Sequence, residues 1–112
     1  SCTVVEAIRE ANYVVLVTEP TPFGLHDLKL IHKVTKELSI PTGVVINRDG
    51  LGDQNVEEFC NNNRIPVLTR IPYAREIAEG TARGQTFLEI QPEAVGMFMT
   101  MYETILNTVK KN

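Results

Sequence analysis

Three short apolar runs constrain the fold of this chain most strongly: residues 13–18 (YVVLVT), 43–46 (GVVI) and 66–71 (PVLTRI). The first two do not alternate polar with apolar residues. Continuous apolar runs of this length belong to strands buried on both faces, as in a parallel sheet. Thr69 and Arg70 break the third run, which places it nearer an edge. Helical patterns separate the runs. Residues 21–38 open with Thr21 as N-cap and Pro22 at the first helical position. Leu28, Ile31, Val34 and Leu38 then line one face. This helix ends before Ile40-Pro41, because the residue preceding a proline avoids helical dihedrals. A second helix follows the turn at Gly50 and Gly52, with Asp53 or Asn55 as cap and Val56, Phe59 and Cys60 inward. A third spans about 74–83, with Ile77 and Ala78 inward and Gly84 as its stop. The last spans about 92–110, where Val95, Phe98, Tyr102, Ile105, Leu106 and Val109 share a face. A short helix over 3–10 leads the chain. Strands alternating with helices predict right-handed crossovers and an α/β fold with a three-stranded, mostly parallel sheet.

Such a sheet is small, since sheets average about 5–6 strands. The run YVVLVT is the most apolar and so is expected to be central, yet in sequence order it has only one neighbour. A flat apolar edge is normally covered. Residues 1–112 are therefore expected to form one α/β segment that completes a larger sheet or pairs its edge with another chain. A chain of 112 residues, 43% hydrophobic, supports one modest core. Its net charge of -3 carries no basic stripe, which argues against nucleic acid as partner. No apolar run approaches the ~18 residues of a membrane span, and SCTVVEAIRE does not read as a secretory signal. A cytoplasmic protein is expected. Cys2 and Cys60 form no C-x-x-C pair and are expected to be reduced thiols. His26 and His32 are six apart, so they do not share a helix face as i, i+4 metal ligands would. No metal site is expected.

Ligands of parallel α/β sheets bind beyond the carboxyl ends of the strands. The informative residues are therefore Glu19 to Pro22, Asn47 to Asp49, and Pro72 to Arg75. Asn47 offers an amide donor and a carbonyl acceptor, a pair that can read an adenine edge. Asn is also a common turn former. Arg48 suits stacking on a base or meeting a phosphate, and is equally ordinary as a solvated turn residue. Glu19 fits a loop carboxylate or a partner for the dipole of the helix beginning at Pro22. Asp27 falls between Ile31 and Val34 on the apolar side, as a buried structural acid or a group aimed at the ligand end of the sheet. His26 faces the polar side. Neither G-x-x-x-x-G-K-S/T nor G-x-G-x-x-G is present, and there is no G-x-S-x-G elbow. The final helix carries only Lys110 and Lys111 as basic residues, too few for a membrane-surface helix, so packing on the sheet is expected.

The segments ANYVVLVTEPTPFGLHDLKL, IPTGVVINRDG and IPVLTRIPYAREIAEG closely resemble the second half of MinD/ParA-type P-loop ATPases. They are most similar to the MinD-superfamily branch whose members carry an inserted ferredoxin domain. The resemblance covers about residues 1–90. Ser1-Cys2 resembles the residues just after that family's switch segment, D-x-P-P-G followed by Ser or Thr. It implies a mostly parallel sheet with helices on both faces and YVVLVT beside the phosphate-loop strand. It implies that Asn47, followed by Arg48, hydrogen-bonds the adenine base, and that Ile71, Pro72 and Tyr73 close over it. Glu19, Pro20 and the residues to Asp27 would lie near the nucleotide and a dimer or partner surface. The implied cofactor is ATP or ADP with Mg²⁺. The implied partner is the remainder of the ATPase domain or a second copy in a homodimer. The Walker A loop, the switch aspartates and the ferredoxin cysteines that would hold 4Fe-4S clusters are not among these residues. Phosphoryl transfer depends on such phosphate-handling parts, so this chain alone is expected to hold a base without hydrolysing ATP. A non-enzymatic module that pairs through its sheet edge is the alternative. A receiver-like phosphoacceptor domain fails, because these strands end in Glu19, Asn47 and Pro72 rather than in an acidic cluster.

Overall fold

The computed structural model describes residues 2–111; Ser1, with which the switch-segment resemblance begins, lies outside them. Helix α1 (Cys2–Arg9) leads into strand β1 (Val14–Thr18), helix α2 (Pro22–Glu37), strand β2 (Thr42–Asp49), helix α3 (Asn55–Asn62) and strand β3 (Val67–Pro72). Helices α4 (Arg75–Ala82) and α5 (Phe87–Ile90) follow, then a 3₁₀ turn (Pro92–Ala94) and helix α6 (Val95–Lys111). The sheet is parallel throughout, in the order β1-β2-β3. The centre thus belongs to β2, and the more apolar β1 has a neighbour on one side only. In register, Val15 and Val17 lie beside Gly43 and Val45 on the opposite face from Leu16, Val44 and Ile46. Val15 and Val17 remain 38% and 60% exposed.

The core sits between β2 and the pair α2/α3: Leu28, Val44, Ile46, Val56, Cys60 and Ile65 are buried together, with Leu16 and Phe59 packed at their rim. The α2 start follows expectation. Thr21 is extended and its hydroxyl accepts the Gly24 N–H at 3.1 Å, with Pro22 in the first turn. For α3 neither expected cap is the N-cap, which is Gln54; Asp53 instead bonds the Asn55 N–H through its carboxylate at 3.0 Å. Helices α2, α3 and α4 end alike. The residues after their C-caps, Ser39, Arg64 and Gly84, take positive φ. The next residues, Ile40, Ile65 and Gln85, donate back to Thr35, Cys60 and Gly80 at 2.9–3.0 Å. This is the Schellman arrangement, which satisfies helix-terminal carbonyls. After α2 and α3 it is followed at once by Pro41 and Pro66, which stop the helix and start the next strand.

Three expectations need correction. Asp27 is exposed, not turned into the core, because α2 buries only the narrow face carrying Gly24, Leu28 and Thr35. Ala78 is exposed while Ile77 is half-buried. On α6, Val95 and Tyr102 are exposed, and the half-buried side carries Phe98, Met101, Ile105, Leu106 and Val109. Among the described residues, no helix is long and apolar enough to cross a membrane.

Candidate functional site

The carboxyl ends of β2 and β3 are joined irregularly. Ile46 pairs with Arg70, and the next pair is Asp49 with Pro72. Two residues of β2, Asn47 and Arg48, therefore oppose one residue of β3, Ile71. This is a β-bulge, a feature common beside functional sites because it re-aims side chains. A second shift, between Val44 and Val45, inserts Leu68 into β3 and cancels the offset. Leu68 has room to bulge because Gly43 opposite has no side chain; a Cβ there would press on Leu68 at 2.6 Å. Arg48 has φ of 54°. After the bulge the strands close again, with the Tyr73 N–H donating to the Asp49 carbonyl at 2.9 Å.

Beyond this bulge lies a cavity of about 490 Å³, within the range typical of small-molecule sites. Asn47, Arg48, Ile71, Pro72 and Tyr73 all line it, so the five residues expected to contact a base meet at one place. The far wall comes from α4 and α5, through Ile77, Ala78, Thr81 and Phe87. The lining is mainly apolar, with polar groups at Asn47, Arg48, Tyr73 and Thr81. Among the described residues, the lining includes no carboxylate, histidine or cysteine. Such a lining combines apolar walls with a few hydrogen-bonding groups, the make-up common to small-molecule sites.

Asn47 is half-buried, and its Oδ1 accepts the Arg48 backbone N–H at 3.0 Å. Among the described residues its NH₂ makes no hydrogen bond, so it can donate into the cavity, while Oδ1 retains a second lone pair. The Arg48 Nε lies 3.6 Å from Glu19 Oε1, both side chains being about half exposed. Glu19 itself does not line the cavity. Pro20 and Asp27 do not line the cavity. Pro20 is buried and acts as a latch: its carbonyl accepts the Asp53 N–H at 3.2 Å. Gly52 passes so close that any side chain there would overlap that oxygen.

Phe87 and Thr81 were missed at the sequence level. For Phe87 the periodic signal is weak, since α5 has four residues, whereas Thr81 lies on α4, which was expected, without being marked as inward. A readable cue existed, because Thr86 and Glu89 form a capping box. The Thr86 Oγ1 accepts the Glu89 N–H at 3.2 Å, and the Glu89 carboxylate accepts the Thr86 N–H at 3.0 Å. These bonds hold the Glu89 carboxyl below its usual range. Phe87 is further fixed by an edge-to-face contact with Phe98, centroids 6.0 Å apart. Among the described residues, no group of three or more His, Cys, Asp or Glu side chains could hold a metal ion.

Over 88 residues the chain is 41% identical to an uncharacterized protein of Methanocaldococcus jannaschii. The match covers 79% of this chain and 29% of that protein, so the chain spans under a third of the relative's length. No family model and no solved structure matches.

Proposed function

We propose that this chain supplies the base-binding side of an adenine-nucleotide site in an ATPase of the MinD/ParA type, with ATP or ADP and Mg²⁺ as its cofactors. One observation carries the reading: Asn47, Arg48, Ile71, Pro72 and Tyr73 converge on one cavity, with the Asn47 carboxamide at its edge. The apolar walls would sandwich the ring, and Asn47 would donate to a ring nitrogen and accept from the exocyclic amine. Nothing in the cavity lining could neutralise a triphosphate apart from Arg48, so hydrolysis would rest on groups elsewhere in the assembled protein. Any iron–sulfur chemistry would likewise belong outside these residues. Asn47→Ala in the full-length protein is expected to weaken ATP binding roughly tenfold or more, the scale of one lost bidentate base contact. Equal ATP affinity in that variant, measured by calorimetry, sinks the assignment.

A second reading is favoured by a separate observation, the exposed Val15 and Val17 on the one-sided strand β1. In it the chain is an interaction module that pairs along β1 with another strand or a second copy. Light scattering over a range of concentrations tests it. A monomer at every concentration counts against self-pairing.

A further inference from the structure

We infer that Phe87 is a specificity-determining residue of the base cavity: its ring closes the α5 side and excludes bases that carry a bulky group there. This rests on the base-binding reading above and goes beyond it. A second cavity, of about 360 Å³, adjoins the first. Pro72, Ala74, Ile77 and Phe87 line both, so they form the partition between them. Pro72 ends β3, and Ala74 and Ile77 belong to the start of α4. Phe87 is the largest of the four and comes from a different helix, α5. The second cavity is lined mainly by apolar groups, among them Ala94 and Met97. Its charged members are the carboxylates of Glu76 and Glu93, so it favours a neutral apolar group over an anionic one.

A helix of four residues is too short to hold its shape alone, yet α5 is fastened by several contacts. The Phe87 ring stands edge-on to Phe98 of α6, with the ring planes 89° apart. Ile90 packs on Gly80 of α4 so closely that a Cβ at Gly80 would meet Ile90 Cδ1 at 2.6 Å. Gln91, the residue after α5, donates from Nε2 to Glu76 Oε1 at 2.7 Å. With the capping box at Thr86, these contacts tie α5 to α4 and α6 and give the Phe87 ring a fixed place. A close-packed wall rejects an oversized group, at a cost that rises with each added methylene. Asn47, taking N6 and N7 of adenine as a carboxamide does, leaves carbon 2 on the opposite edge of the base, toward the α4 and α5 wall. A substituent there meets the partition, and the second cavity lies beyond it.

The experiment measures binding of ATP and of 2-hexylthio-ATP to the full-length protein by calorimetry. Wild type is expected to bind the analogue roughly tenfold or more weakly than ATP, the scale set by an apolar group too large for its pocket. Phe87→Ala joins the two cavities and is expected to raise analogue affinity relative to ATP roughly tenfold or more. Phe87→Leu is expected to give a smaller gain in the same direction, and decides the matter if Phe87→Ala does not fold. A gain of affinity cannot come from lost folding. Leu88→Ala, on the same helix but 42% exposed and in neither lining, is expected to keep the wild-type ratio within about twofold. N6-benzyl-ATP, whose added group points at Asn47, is expected to gain nothing from either change at Phe87. Wild type binding the analogue as well as ATP, or a ratio that neither Phe87 variant moves, overturns the size limit while leaving Asn47 in place. A gain for the N6-benzyl compound in place of the 2-hexylthio compound overturns it as well. Unchanged ATP affinity in Asn47→Ala overturns the base assignment itself, and this inference with it.

Discussion

Cys60 gives the sharpest test of how the core is built. It is 1% exposed, on α3 in the core shared with β2 and α2. Burial pushes its thiol from an ordinary 9.0 up to about 11; Glu57 adds to the rise and Arg70 partly offsets it. The folded chain therefore holds the thiol proton more tightly than the unfolded chain does. The thiol's contribution to stability is intact below about pH 9, declines above it, and is lost once pH has passed about 11. Two pH units correspond to about 2.7 kcal/mol, and about half of that is lost at pH 10. Urea unfolding of the wild type and Cys60→Ala between about pH 7.5 and pH 10.5 reads this out. The alanine variant carries a constant deficit from its cavity, so only the pH-dependent part of the difference counts. Tyr13, whose phenol burial also pushes upward, acts in the same direction but is present in both proteins and cancels. The expected difference between wild type and variant narrows by about 1.4 kcal/mol from pH 7.5 to pH 10. A difference that stays constant across that range refutes the thiol's burial in the ligand-free fold.

Gly24→Ala is expected to lower Tm by roughly 4–8 °C, the equivalent of about 1–2 kcal/mol in a domain of this size. Helix propensity alone would favour Ala, but a Cβ would overlap the Glu19 carbonyl and press on Thr18 Oγ1, which donates to the Gly24 carbonyl at 3.0 Å; a raised Tm would contradict the close packing of α2 on the end of β1. Val17→Lys is expected to leave Tm within about 2 °C of wild type, since surface changes seldom exceed about 0.5 kcal/mol, and to reduce any association seen by light scattering; unchanged association would move the contact away from β1.

Strands β1 and β2 were legible because each is a continuous apolar run, β3 from a run broken only at Thr69 and Arg70, and α2 because Thr21 and Pro22 announce its start. Less was legible where a conformation depends on the main chain. Ser39 and Arg64 end helices in the left-handed region without being glycine, so only Gly84 could be marked as such an end in advance. Helix α5 is too short for periodicity to speak, and its capping box was the one available signal. The apolarity of YVVLVT measured the burial that β1 is suited for, not the burial it has here: Val15 and Val17 face solvent beside Gly43 and Val45. That mismatch between composition and exposure is itself what motivates a partner along this strand.

The site was half legible for a related reason. The continuous apolar run stops at Ile46, so the strand was expected to end there, with Asn47 and Arg48 as turn residues or ligands. In fact β2 continues to Asp49, and the two polar residues are a bulge within it. Of the two alternatives for this pair, turn chemistry is visible in the backbone, as the bulge and its positive φ. The residue that behaves like a turn former is Arg48, in its backbone, while Asn47 lines the cavity. A cationic residue at 48 cannot follow Ile46 into the core without losing its hydration, a cost far above that of left-handed φ. Polarity at 48 thus favours the bulge, and consecutive polar residues closing a buried parallel strand carry that consequence in the sequence itself.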